Sequence, residues 1–135
     1  MAAKLDITKS LEIWSRAENV ISGGSQTNSK RPSAYAEGAY PIYVDRSQGC
    51  RVWDVDGNEY IDYVLGLGPI TLGYCYPAVD QAISEQLSKG IVWGLMSPLE
   101  VECAVRMIEM VPCCEQVRFL KGGSEVTCAA DRIAR

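Results

Sequence analysis

The sequence predicts an α/β protein, on three observations. Apolar residues recur at helical spacing in four separate stretches. Between the first two, the period shifts to the strict alternation of strands. Near the end, a short apolar run feeds glycines and then a helix, the pattern by which a strand leads into a helix of a layered sheet. The expected element sequence is helix, antiparallel meander, helix, helix, strand, helix.

The first helix is expected over residues 9–21, where Leu11, Trp14, Ala17, Val20 and Ile21 fall on one side and Ser22-Gly23-Gly24 ends it. Residues 25–38, "SQTNSKRPSAYAEG", lack apolar periodicity. They are expected as a loop, lying either over a site or plainly on the surface. "PIYVDR", "CRVWDV" and "EYIDYV" then alternate, with β-branched and aromatic residues. Ser47-Gln48-Gly49 and Asp56-Gly57-Asn58 separate them, and the second triplet is a strong hairpin signal. A three-stranded antiparallel meander is expected over residues 42–63.

The glycine-rich passage 66–77, "GLGPITLGYCYP", permits tight turns or close backbone approach. Pro77 opens a helix with Val79, Ile83 and Leu87 on one face, closed by Gly90. In "SPLE", Ser97 suits an N-cap, Pro98 the first turn and Glu100 the reciprocal partner of a capping box. That helix carries Val101, Ala104, Val105 and Ile108 and stops before Pro112. "EQVRFLKGG" is expected as a strand through residues 117–120, with a helix from Ser124. One strand makes no parallel sheet, so its neighbours are either hidden in this sequence or outside it.

The chain has 135 residues, 47% apolar and 22% charged, enough for one domain with a core. Thirteen basic residues against 17 acidic ones give a net charge of −4, with no basic cluster. A nucleic-acid surface is not expected, since neutralising phosphates needs clustered Lys and Arg. "MAAKLDITKSLEIW" has no apolar core of a secretory signal, and no run approaches a membrane span. A cytoplasmic protein is expected. The six cysteines form no CxxC pair and the sequence has no histidine. Reduced, structural thiols are expected rather than a metal site, and no Ser/His or Cys/His pair exists within these residues.

The candidate for chemistry is "KGGSE", Lys121 to Glu125. At the start of a helix, the amides of Gly122, Gly123, Ser124 and Glu125 can converge on an anion. Two missing Cβ atoms bare the backbone, Ser124 can add a hydroxyl, and the helix dipole favours negative charge. On the residues alone the anion signal is weak, and a plain turn with Ser124 as an ordinary N-cap is the more usual meaning of Gly-Gly-Ser.

The stretches "SRAENVISGG", "VWDVDGNEYIDYV", "GLGPITLGYCYPAV", "SPLEVECA" and "VPCCEQVRFLKGGSEVTCAADRIAR" together resemble the N-terminal part of class-III pyridoxal-phosphate aminotransferases. The branch they resemble most is that of glutamate-1-semialdehyde 2,1-aminomutases, with amino-sugar transaminases nearby. The resemblance runs from about Leu11 onward, and "WDVDGNEYIDY" followed by "RFLKGGSE" is its most specific part.

The resemblance implies a fold-type-I transferase like aspartate aminotransferase, with residues 1–65 in the small domain and 66–135 opening the large cofactor-binding domain. It implies pyridoxal 5'-phosphate as cofactor, an amino donor and a carbonyl acceptor as substrates, and a homodimer. Gly122, Gly123 and Ser124 occupy the phosphate-binding positions, with Gly122 where relatives usually carry Ser or Thr. Val126 replaces a customary Ala. Leu67 stands where aminomutases place a substrate-facing tryptophan, which tilts the substrate slightly toward other carbonyl compounds, keto-sugars included. "GYCYP" replaces the usual "GHAHP", so Tyr74 and Tyr76 are either substrate-side or packing residues. The family's Schiff-base lysine lies far downstream, and none of Lys4, Lys9, Lys30, Lys89 or Lys121 matches its context. No catalytic residue is therefore assigned here. The expectation is a fragment, inactive alone; the alternative is a free-standing, non-catalytic folding or association domain.

Overall fold

The computed structural model describes residues 5–36 and 38–135. Residues 1–4, and position 37 of the expected loop, lie outside the described residues. The chain forms two compact units, one ending at Ser88 and the other running Lys89–Arg135.

In the first unit, helix α1 spans Thr8–Val20 and buries Ser10 and Ala17. Its N-cap Ile7 offers no side-chain bond, so the orphan amides of the first turn need another acceptor. Asp56, nearly fifty residues later, supplies it. Its carboxylate accepts from the amides of Lys9 (2.6 Å) and Ser10 (3.0 Å) and from the Ser10 hydroxyl (2.5 Å). A negative charge at a helix start also suits the dipole.

The expected meander is present. Strands β1 (Val44–Gln48), β2 (Arg51–Asp54) and β3 (Glu59–Ile61) pair antiparallel in sequence order. Val52 faces Ser47 on one side and Tyr60 on the other, and a register shift lies between Val44 and Arg46. Alternation puts Val52 and Asp54 on the buried side, 5% and 2% exposed. Arg46 lies over the Trp53 ring at 3.7 Å, and Arg51 pairs with Glu59. Gly57 makes the β2–β3 turn at φ 93°, where a side chain would be strained.

The 25–38 segment contains two short 3₁₀ turns, Asn28–Lys30 and Pro32–Ala34. After β3 comes another tight turn, Leu65–Leu67. The chain then returns to the meander: Gly49 and Tyr74 exchange two backbone hydrogen bonds of 2.9 and 2.8 Å. Helix α2, Pro77–Lys89, leaves Val79, Ile83 and Leu87 exposed along one face.

In the second unit, α3 spans Pro98–Met110 and begins with the expected capping box. The Ser97 hydroxyl accepts from Leu99 N, and Ser97 N donates to the Glu100 carboxylate at 2.9 Å. Helix α4 spans Gly123–Ala134. Two expectations are corrected here. Residues 117–120 are in no strand, because a strand exists only through a ladder and no described segment pairs with them. The N-cap of α4 is Gly122, which leaves Ser124 inside the first turn.

Candidate functional site

Helix α4 begins where two glycines remove the side chains that would cover its backbone. Gly122 takes an extended conformation, φ −123° and ψ 150°, and its carbonyl accepts the first helical bond from Val126 at 3.0 Å. Glu125 folds back on this turn. Its carboxylate accepts from the amides of Gly122 (3.2 Å) and Lys121 (3.3 Å). That leaves the amides of Gly123, Ser124 and Glu125 with no acceptor among the described residues. Gly123 and Ser124 are exposed, and nothing lies within 4 Å of where a Cβ on Gly123 would stand. The Ser124 hydroxyl is equally unengaged, and Lys121 adds a neighbouring positive charge. Three bare N–H groups, a hydroxyl and the positive end of a helix are donors of the kind an oxyanion can use, beside the Glu125 carboxylate that already takes the Gly122 and Lys121 amides.

Leu67 stands in the other unit, at the end of an unusual turn. Leu65, Gly66 and Leu67 take φ of 51°, 60° and 66°, so two leucines sit in the left-handed region. Each costs about 1–2 kcal/mol there. The Leu67 side chain does not offset this by burial, since the residue is 71% exposed.

What holds the turn is Asp62. One carboxylate oxygen accepts from the amides of Val64 (2.7 Å) and Leu65 (3.3 Å), and the other from the Tyr74 hydroxyl (2.7 Å). Burial opposes ionisation of Asp62, but the Tyr74 hydroxyl and these two amides outweigh it and hold the carboxyl below its ordinary range. The same contact, with burial second, pushes the Tyr74 phenol up to about 12. Tyr74 thus bonds through its side chain, while Tyr76 is 44% exposed.

A second carboxylate network lies at the other end of the β2–β3 pair, at its turn. Asp54 accepts from Asn58 N (2.7 Å), Asn58 Nδ2 (2.8 Å), Asp56 N (3.1 Å) and the Tyr60 hydroxyl (3.0 Å). Burial first, then the bond to Asp54, raises the Tyr60 phenol to about 12. With four donors on two oxygens, Asp54 is fully engaged, and its place is structural. Sequence reasoning missed both networks. An available signal was the Asx turn, in which an Asp side chain accepts the amide two residues on, as Asp62 does from Val64.

Comparison with known proteins agrees with this architecture. The family profile "Aminotransferase class-III" matches residues 33–135. Glutamate-1-semialdehyde 2,1-aminomutase of Chloroflexus aurantiacus is 47% identical over 122 residues, 90% of this chain and 27% of that protein. The 3-aminobutyryl-CoA aminotransferase of Cloacimonas acidaminovorans is 38% identical over 136 residues, covering 100% of this chain and 33% of its own length. A solved transaminase with pyridoxal phosphate bound superposes with a TM-score of 0.84 at 33% identity, across 97% of this chain and 30% of that one. The chain belongs to the class-III aminotransferases. It spans about a third or less of the length of these relatives.

Proposed function

We propose that this chain is part of a pyridoxal-phosphate-dependent aminotransferase or aminomutase, which moves an amino group between a small-molecule donor and a carbonyl compound. The observation that carries it is the row of unpaired amides at Gly123, Ser124 and Glu125, in a chain of the class-III family. The residues present fit a phosphate monoester. Gly123 leaves room for oxygens to reach the backbone, Ser124 adds a hydroxyl donor, and α4 is a helix of 12 residues. Gly122 contributes its missing side chain and sets the helix entry, while its amide serves Glu125.

When bound, the cofactor supplies an electron sink for the carbon that carries the amino group. This chain's residues hold its phosphate, and Leu67 offers an aliphatic wall to the substrate. The lysine that carries the cofactor is assigned to the part of the relatives' length that this chain does not span. In the complete protein, residues 1–65 belong to the small domain and 66–135 open the large one. We assign that protein to the cytoplasm as a homodimer; among the described residues, no helix is long and apolar enough to cross a membrane.

The test is cofactor dissociation from the complete enzyme. Ser124→Ala removes one hydrogen bond to a charged group, weakening cofactor binding by about 1.5–3 kcal/mol. Gly123→Val does worse, because its side chain fills the space for the phosphate. Melting of both apo proteins stays near the parent's. A lowered apo melt with unchanged affinity would reduce Ser124 to a structural residue of the helix start.

A further inference from the structure

We propose that Tyr74 is a positioning residue: its hydroxyl, fixed on Asp62, holds the left-handed turn Leu65–Leu67 and so sets where the Leu67 side chain stands. The substrate part of this proposal rests on the reading of Leu67 as a substrate wall. The turn is not one its residues choose, since leucine has no preference for positive φ. Nor does burial hold Leu67 there, at 71% exposure. A strained backbone persists only where its surroundings over-determine it, and such sites gather at ligand-facing positions.

Here the surroundings can be traced bond by bond. Tyr74 is anchored through its backbone, by two hydrogen bonds with Gly49 at the β1–β2 corner. Its hydroxyl reaches Asp62 at 2.7 Å, and Asp62 grips Val64 N and Leu65 N at the mouth of the turn. The turn closes with Leu67 N on Val64 O (2.9 Å) and Gly68 N on Leu65 O (3.1 Å). The sheet corner reaches the turn by two links to Asp62: the Asp62 amide donates to Cys50 O (2.8 Å), which fixes the main chain, and the Tyr74 phenol fixes the carboxylate that holds Val64 N and Leu65 N. An aliphatic side chain displayed this way fits a carbonyl substrate that presents hydrocarbon at that point, rather than a second charge.

Tyr74→Phe keeps the ring and deletes the donor. In this chain it is expected to move the amide–Hα couplings and Cα shifts of Leu65 and Leu67 away from left-handed values, while those of β2 stay unchanged. Adding Leu65→Gly, which takes positive φ without strain, restores the signature at Leu67. Unchanged signals at Leu65 and Leu67 in Tyr74→Phe overturn the proposal, since a tyrosine that merely packs is replaced by phenylalanine without effect.

The wall is tested separately in the complete enzyme, loaded with pyridoxal phosphate and using glutamate-1-semialdehyde as probe. Leu67→Gly is expected to raise KM with kcat kept, and Tyr74→Phe to raise KM about tenfold, the order of one lost bond to a charged group. An unchanged KM in Leu67→Gly, or no turnover of this probe by the parent, overturns the wall for this substrate. The positioning by Tyr74 then stands on the spectra alone.

Discussion

The two units of this chain are held together by different physics. In the unit ending at Ser88, separate turns and elements are joined through carboxylates. Asp56 caps α1, Asp54 gathers the β2–β3 turn, and Asp62 ties the next turn to Tyr74. Val52 and Ala17 supply a small apolar core beside them. From Lys89 to Arg135 no residue is buried at all. Order there is local, a capping box on α3 and a folded-back Glu125 on α4. Their apolar residues, Val101, Val105 and Ile108 on α3 and Val126 on α4, stand exposed, as do Phe119 and Leu120. A polar network specifies its partners by geometry and can be complete within a short segment. Apolar faces specify only that something must cover them.

The largest test of this contrast is Asp54→Ala. It leaves four donors without their acceptor at a site 2% exposed, and about 3 kcal/mol or more of the first unit's stability is lost. Amide hydrogen exchange at Val52 and Tyr60 should rise steeply, with no change in exchange along α3. Equal loss in both units would show that they fold as one.

Next is Ser97→Ala, which removes the cap of α3 and costs about 1 kcal/mol of helix. Cα shifts of residues 98–101 should move toward coil while the meander keeps its spectrum.

The smallest effect at neutral pH, none, becomes visible at the extremes. Tyr60 and Tyr74 have folded pKa values raised to about 12, from an ordinary 10. Their contribution is whole below 10 and is lost as pH rises through 12. Asp62 is shifted the other way, so its contribution is whole above the ordinary carboxylate range and is lost as pH falls through its lowered pKa. Burial also raises Tyr40 and Tyr43, so absorbance of the phenolates should show Tyr60 and Tyr74 among four late-titrating tyrosines, and Tyr74→Phe should remove one of them.

The sequence made readable those features whose cause lies within a few residues. The meander followed from alternation and from Asp56-Gly57-Asn58, and the α3 start from Ser97-Pro98 with Glu100. What it concealed was settled at longer range. Residues 117–120 read as a strand by composition, yet pairing requires a second segment, and none of the described residues provides one. Asp54 was read only as a strand residue and Asp56 only as a turn residue, because their partners, Tyr60 and Ser10, are chosen by the folded sheet. Leu65 and Leu67 gave no sign of positive φ, since that conformation is imposed by Asp62. At the start of α4 the bare amides of Gly123, Ser124 and Glu125 match the expectation, whereas that of Gly122 is taken by the Glu125 carboxylate. The glycine cap was not foreseen, because Ser is the commoner cap and Glu125's return to the backbone depends on its rotamer.

The Gly49–Tyr74 pairing also bears on how this protein can change over generations. Beside it, Gly73 has φ 84°, and a Cβ there would stand 3.0 Å from the Gly49 carbonyl oxygen and 3.1 Å from its Cα. The neighbour is main chain, and no exchange of a side chain can make room for it. A crowded core position can drift in sequence when a second substitution relieves the first, whereas position 73 has no such correspondent. Its history in any lineage that keeps this corner should be that of a single residue type, with variation confined to lineages in which the whole corner has been rebuilt.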